Sequence, residues 1–321
     1  MEINETIKIL REKQGVSQTK LAKGIMERSC YSRFELGQRA ITAEEYTQIM
    51  NRLRAHATDL NDIENLENAE ISMIREKHKA AFNDDLPKKE LENLYFMLKK
   101  RYNESPQLYR AYLFTKQYFN TYSDLIPEIS LEEKNDLFNQ LQTFKYWPNF
   151  YIKMIMDFTV LFTPEQLIYL LDRLETYRVE WISPIDCQYL HVLPGAISNI
   201  ADSLIDHAVL DTESVNKEFF PHVEKACQKL TEIIELRPSF DYSLLLKLHH
   251  IRLEYFSAET KESKETALKK AEQFLQETIF INLMKDYHGK EVETAAKIVQ
   301  KSLTNLIKLG RPGTEINYFT I

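Results

Sequence analysis

Apolar residues recur at intervals of three and four along almost the whole chain, the spacing that puts them on one face of an α-helix. Ile3, Ile7 and Leu10 predict a first helix, Leu21, Ala22 and Ile25 a short second one, and Tyr31 and Phe34 a third. Tyr46, Ile49, Met50 and Leu53 continue the pattern, and residues 1–65 read as a compact five-helix module. After a linker over 66–70, the same periodicity predicts helices near 71–82, 87–103, 106–122, 130–144, 149–161, 164–179, 185–209, 214–235, 239–257, 263–286 and 290–309. The tail over 310–321 differs: Gly310-Arg-Pro-Gly313 breaks the last helix, and Ile316-Asn-Tyr-Phe-Thr-Ile321 has the β-branched and aromatic content of a strand.

The residues that punctuate the first module give it a specific form. Ser17 is placed to cap the second helix, Gly24 to make a tight turn, Ser29 to cap the third helix and Gly37 to end it. Thr42-Ala-Glu-Glu45 has the pattern of a capping box for the next helix. Two short helices joined by such a turn form a helix-turn-helix, whose second helix fits the major groove of DNA. With Tyr31 and Phe34 facing inward, Cys30, Ser32 and Arg33 point away from the core. The candidate DNA contacts are therefore Gln18, Arg28, Ser29, Cys30, Ser32 and Arg33, the arginines suited to phosphates or guanine edges.

Composition sharpens this picture. A chain of 321 residues exceeds one ordinary core, so at least two domains are expected. Only 7 Gly and 10 Pro interrupt it, in keeping with an all-α fold. A formal charge of −7 argues against nucleic acid until it is divided. Residues 1–40 hold eight Lys or Arg against five acids, +3, which leaves −10 for the rest. No window is apolar enough to span a membrane and no basic-then-apolar leader follows Met1, so a cytoplasmic protein is expected.

Cys30, Cys187 and Cys227 have no metal-binding spacing, and reduced thiols are expected, the latter two buried. His249 and His250 are adjacent on a helix and diverge by about 100°, which prevents joint metal ligation. No phosphate loop, nucleophile elbow or His-Glu metal motif occurs, so no catalytic residues, cofactor or metal is expected and the chain reads as a non-enzyme.

The first module resembles the Cro/repressor class of helix-turn-helix domains. Gly24-Ile-Met-Glu-Arg-Ser-Cys-Tyr31 together with Ile41-Thr-Ala-Glu-Glu45 resembles, more narrowly, the Rgg and PrgX/TraA type of peptide-pheromone receptors of Gram-positive bacteria. Tyr146-Trp-Pro-Asn-Phe-Tyr151 and Thr163-Pro-Glu165 extend the resemblance to the centre of the chain. Many relatives carry an amide side chain where this chain has Cys30, so their base contacts do not carry over to that position.

The helix pairs after residue 71 approach the roughly 34-residue period of tetratricopeptide repeats, and Cys227-Gln-Lys-Leu-Thr-Glu-Ile-Ile-Glu-Leu-Arg-Pro238 is the clearest fragment. A TPR-like α-solenoid of this kind has an extended groove. The resemblance implies that the groove binds a short apolar signalling peptide, with Asn149, Lys153, Asp157 and Asn199 as candidate contacts. The strand-like composition of the tail suggests that it docks by strand addition, covering the groove or pairing with a bound peptide. It further implies a homodimer on double-stranded operator DNA, with tetramers left open, repressing plasmid conjugation genes. An Rgg-like activator and a helix-turn-helix-tethered adaptor are the alternatives.

Overall fold

The computed structural model describes residues 3–53, 69–144, 147–177, 187–209, 215–283 and 290–311, and among these the chain forms helices and turns but no strand. The chain divides into two compact units, Met1–Ile129 and Ser130–Ile321.

In the first unit, α1 (Ile3–Lys13), α2 (Gln18–Ala22), α3 (Arg28–Glu35) and α4 (Ala43–Leu53) close around one core. Ile7, Leu21, Ala22, Tyr31, Phe34, Ile49, Met50 and Leu53 fill it, with Val16, Ile25 and Tyr46 at its margin. The expected spacing holds for Ile7, whereas Ile3 is exposed and Asn4 and Thr6 are buried in its stead. The fifth helix of the expected module falls on 54–65, outside the described residues.

The same unit contains α5 (Ala69–Phe82), α6 (Lys88–Arg101) and α7 (Pro106–Phe119). Aromatic rings make much of this core: His78, Phe82, Phe114 and Phe119 pack together, and Tyr102 stacks on Tyr112 at 4.8 Å. Ser105 caps α7, its hydroxyl accepting from Leu108 N, with Pro106 at the first helical position.

The second unit holds α8 (Leu131–Thr143), α9 (Asn149–Phe158), α10 (Pro164–Glu175), α11 (Cys187–Val209), α12 (Phe220–Leu236), α13 (Phe240–Ser257), α14 (Lys261–Leu283) and α15 (Lys290–Gly310). α9, α11, α13 and α15 pack successively in one layer, and α10, α12 and α14 lean against them from the other, the alternation of a helical-repeat protein. α11 passes close to α9 at Gly195: a Cβ there would lie 2.6 Å from Met156 Sδ, so that flexible side chain would have to shift. Trp147 is fully buried between helices, its indole donating to Leu141 O at 2.7 Å, with the Arg173 guanidinium 4.2 Å over its ring.

The predicted helix starts at Ser130 and Thr163 are formed as full capping boxes with Glu133 and Gln166. Three predicted helices end earlier as α-helix and finish in 3-10 turns at Tyr102–Glu104, Asn120–Tyr122 and Thr159–Leu161. Periodicity runs through such turns unchanged, which is why the sequence merges them with the helix. The start of the helix expected near 185–209 and the tail beyond Arg311 lie outside the described residues.

Candidate functional site

The helix-turn-helix is assembled by local chemistry. Ser17 is extended, its hydroxyl accepting from Lys20 N at 3.2 Å, and this starts α2. Gly24 takes φ +76°, a left-handed turn conformation that an L side chain rarely adopts. One expectation is corrected at the next step: the residue capping α3 is Glu27 and not Ser29. The Glu27 carbonyl accepts from Cys30 N and Tyr31 N, so the helix begins two residues earlier than a Ser29 cap requires and Ser29 lies within it, exposed.

Tyr31 and Phe34 bury their rings 5.9 Å apart against the core. The opposite side of α3 then faces solvent.

The inward side also carries charge. Glu35 is buried and accepts two hydrogen bonds from Arg11, at 2.6 and 3.0 Å, and one from the Gln18 amide at 2.6 Å. Arg11 also donates to Val16 O at 2.9 Å, at the start of the chain's approach to α2. Burial works against the Glu35 charge, but the bonds from Arg11 and Gln18 outweigh it and hold the carboxyl below its ordinary value. Burial and the Glu35 charge push the Tyr31 phenol well above its usual range. The network ties α1, α2 and α3 into one body. It was legible in outline, since Glu35 is four residues from Tyr31 and Arg11 four from Ile7, each on an inward arc.

The predicted DNA contacts fall into two groups. Arg28, Ser29 and Arg33 are exposed on α3, with Ser32 and Cys30 half-buried beside them. Arg33 Nη2 lies 3.6 Å from Cys30 Sγ, so the guanidinium follows the helix toward its N-terminal half. Gln18 is different: it is half-buried at the first position of α2 and held by Glu35.

The predicted peptide contacts lie on α9 and α11, and three of them, Lys153, Asp157 and Asn199, are engaged within the fold. Lys153 and Asp157 pair at 3.8 Å along α9. The Asn199 amide donates to Met156 O at 2.8 Å, tying α11 to the last turn of α9 next to Asp157. Asn149 is half-buried, its Oδ1 buried without a hydrogen-bond partner. An open crevice of about 430 Å³ lies elsewhere in this unit, between α13 and α14, floored by Leu246, Ile251 and Phe274 and edged by Lys247, His250 and Lys270. Sequence reasoning missed it, because the crevice depends on how two helices splay, which their periodicity does not encode.

The cluster most similar to a hydrolytic triad is structural. Ser198 Oγ and His249 Nε2 are 2.9 Å apart and His249 Nδ1 is 3.9 Å from Asp202. Yet Ser198 and His249 are buried, burial lowers the His249 pKa to about 3, and Asp202 is paired with Arg252. Such a histidine cannot take a proton near neutrality. Among the described residues no cluster of His, Cys, Asp and Glu is arranged for a metal ion, and no helix is long and apolar enough to cross a membrane. Cys227 is buried, its thiol pushed up to about 12 by that burial, while the Cys187 side chain lies outside the described residues.

Residues 7–60 match the helix-turn-helix family model. No curated protein matches the chain by sequence. The fold as a whole is shared with solved structures of low sequence identity. The pheromone receptor Rgg2 of Streptococcus dysgalactiae aligns at TM-score 0.60 and 16% identity, over 94% of this chain and 99% of that one. A point mutant of PrgX aligns at 0.62 and 15%, over 98% and 97%. A bacterial peptide pheromone–receptor complex, described with its mechanism of gene regulation, aligns at 0.57 and 15%, over 95% and 98%.

Proposed function

We propose that this chain is a transcriptional regulator of the Rgg and PrgX/TraA type. It binds operator DNA through α2 and α3 and responds to a short apolar signalling peptide bound by its helical repeats. The observation that carries the reading is the outward side of α3, where Arg28, Ser29 and Arg33 stand exposed on a helix whose other side is locked into the core by Tyr31, Phe34 and Glu35. A fold shared end to end with pheromone receptors supports the peptide half of the reading. Its organisation is a DNA-binding domain over 1–65, a linker over 66–70, repeats over 71–309 and a tail over 310–321. It acts in the cytoplasm without catalytic chemistry.

One recognition helix touches too few base pairs for specificity, so the active form is a homodimer on half-sites about one DNA turn apart. Peptide binding changes operator occupancy by favouring one arrangement of the repeats over another, with Asn149, Lys153, Asp157 and Asn199 as its candidate contacts. Because Rgg2 and PrgX align equally well, repression of conjugation genes and an Rgg-like activation are the two readings of the output. The test is selection of duplexes from a random-sequence library by the full-length protein, followed by Arg33→Ala. The variant should bind the selected duplex about tenfold more weakly. Equal affinity would remove α3 as the reading helix.

A further inference from the structure

The crevice between α13 and α14 is framed by two ion pairs. Lys247 of α13 meets Glu277 of α14 at 2.6 Å, and Glu254 of α13 meets Lys270 of α14 at 2.6 Å. Lys247 and Glu254 are seven residues apart, as are Lys270 and Glu277, so each helix runs about 10 Å from one pair to the other. Leu246, Ile251 and Phe274 floor the enclosed space of about 430 Å³. That volume is in the range of sites that hold a small ligand or a peptide segment.

The charges of the frame balance. Lysine stands on α13 at one end and glutamate at the other, with the opposite order on α14, so the rim gives no net attraction to an acidic or a basic partner. An uncharged apolar segment is the occupant that such a rim and floor suit. The polar groups of the rim in turn suit a peptide backbone. The Ser243 hydroxyl donates to Ser239 O at 2.7 Å and the Gln273 amide donates to Glu277 at 3.2 Å, which leaves the oxygen of each to accept from a backbone N–H. His250, exposed on α13 between the two ion pairs, can donate to a backbone carbonyl. By contrast, Lys153, Asp157 and Asn199 have their polar groups engaged within the fold.

On the reading that the helical repeats take a short apolar peptide, we infer that the peptide is received in the crevice between α13 and α14. About three extended residues span the frame from one ion pair to the other. Their apolar side chains rest on Leu246, Ile251 and Phe274, and their backbone meets Ser243, His250 and Gln273.

The experiment offers the full-length protein a synthetic library of short apolar peptides and takes forward the tightest binder. His250→Trp and Gln273→Trp each place a bulky ring at an exposed rim position, outside the core. Both should bind that peptide about tenfold more weakly, the effect of displacing one apolar side chain, with thermal unfolding unchanged. Asn149→Ala should bind it as the wild-type protein does. Hydrogen exchange of the wild-type protein should show, on adding the peptide, increased protection over residues 243–254 and 270–277 and none over 149–157. Undiminished binding in both tryptophan variants, or protection confined to 149–157, would overturn the inference and leave the peptide reading standing. A library from which no peptide binds would overturn that reading itself, and this inference with it.

Discussion

The helix-turn-helix and the helical repeats solve the same problem, closing short amphipathic helices around a core, with different materials. α1–α4 join an apolar centre to a buried ion pair, Arg11 with Glu35, whose hydrogen bonds reach three helices. In the second unit buried aliphatic residues such as Leu167, Leu171, Ile200, Leu204 and Leu230 make up most of the core, and polar ties, Ser198 to His249 and Arg252 to Asp202 and Asp206, join α11 to α13. A directional network fixes orientation as well as proximity, as the proposed contact with a rigid duplex requires.

That contrast is open to direct attack, and the largest expected effect comes from the network. Glu35→Ala leaves Arg11 buried without its carboxylate and should destabilise the first four helices by about 3 kcal/mol or more. Hydrogen exchange of the full chain should show lost protection over residues 3–53 and unchanged protection over α9–α15. Uniform loss would mean that the two regions unfold as one.

A smaller effect separates the regions by pH. Burial lowers the His249 pKa to about 3 from an ordinary 6.5, so between these values the unfolded chain binds a proton that the folded chain does not. Stability of the second unit should therefore fall as pH drops below about 6.5, by about 1.4 kcal/mol per pH unit. Glu35 acts in the same direction but in a lower window: its hydrogen bonds hold the carboxyl below the ordinary 4.5, so its contribution is full above that value and is lost as pH falls through the lowered one. At pH 5.5 the repeats should be weakened and the ion pair of the helix-turn-helix intact. Denaturation followed by tryptophan fluorescence reports the second unit, since both tryptophans lie beyond residue 130. His249→Gln should remove most of the drop between pH 7 and 5.5.

The smallest effect is local. Ser17→Ala removes the cap of α2 and should cost about 1 kcal/mol, again within residues 3–53.

The two regions were also unequally legible. In the helix-turn-helix, capping and turn residues act within a few positions of themselves, so Ser17, Gly24, Gly37 and the Thr42–Glu45 box could be placed from sequence alone. Ser29 could not, because Glu27 starts α3 through its backbone carbonyl, and a carbonyl has no sequence signature. The repeats yielded their helix order and capping boxes for the same local reasons. Their binding surface depends on which helices approach, and there the residues chosen from resemblance are found bonded within the fold, Asn199 to Met156 O and Lys153 to Asp157. The crevice between α13 and α14 had no signal in either helix.

The central claim is that a DNA-reading end and a peptide-sensing body are coupled in one chain. Its most direct test is the affinity of the full-length protein for its library-selected duplex, measured by fluorescence anisotropy with and without a synthetic library of short apolar peptides. A peptide that shifts duplex affinity in the wild-type protein, and binds Arg33→Ala with unchanged affinity, is the predicted result. Duplex binding that no peptide in the library alters would contradict it.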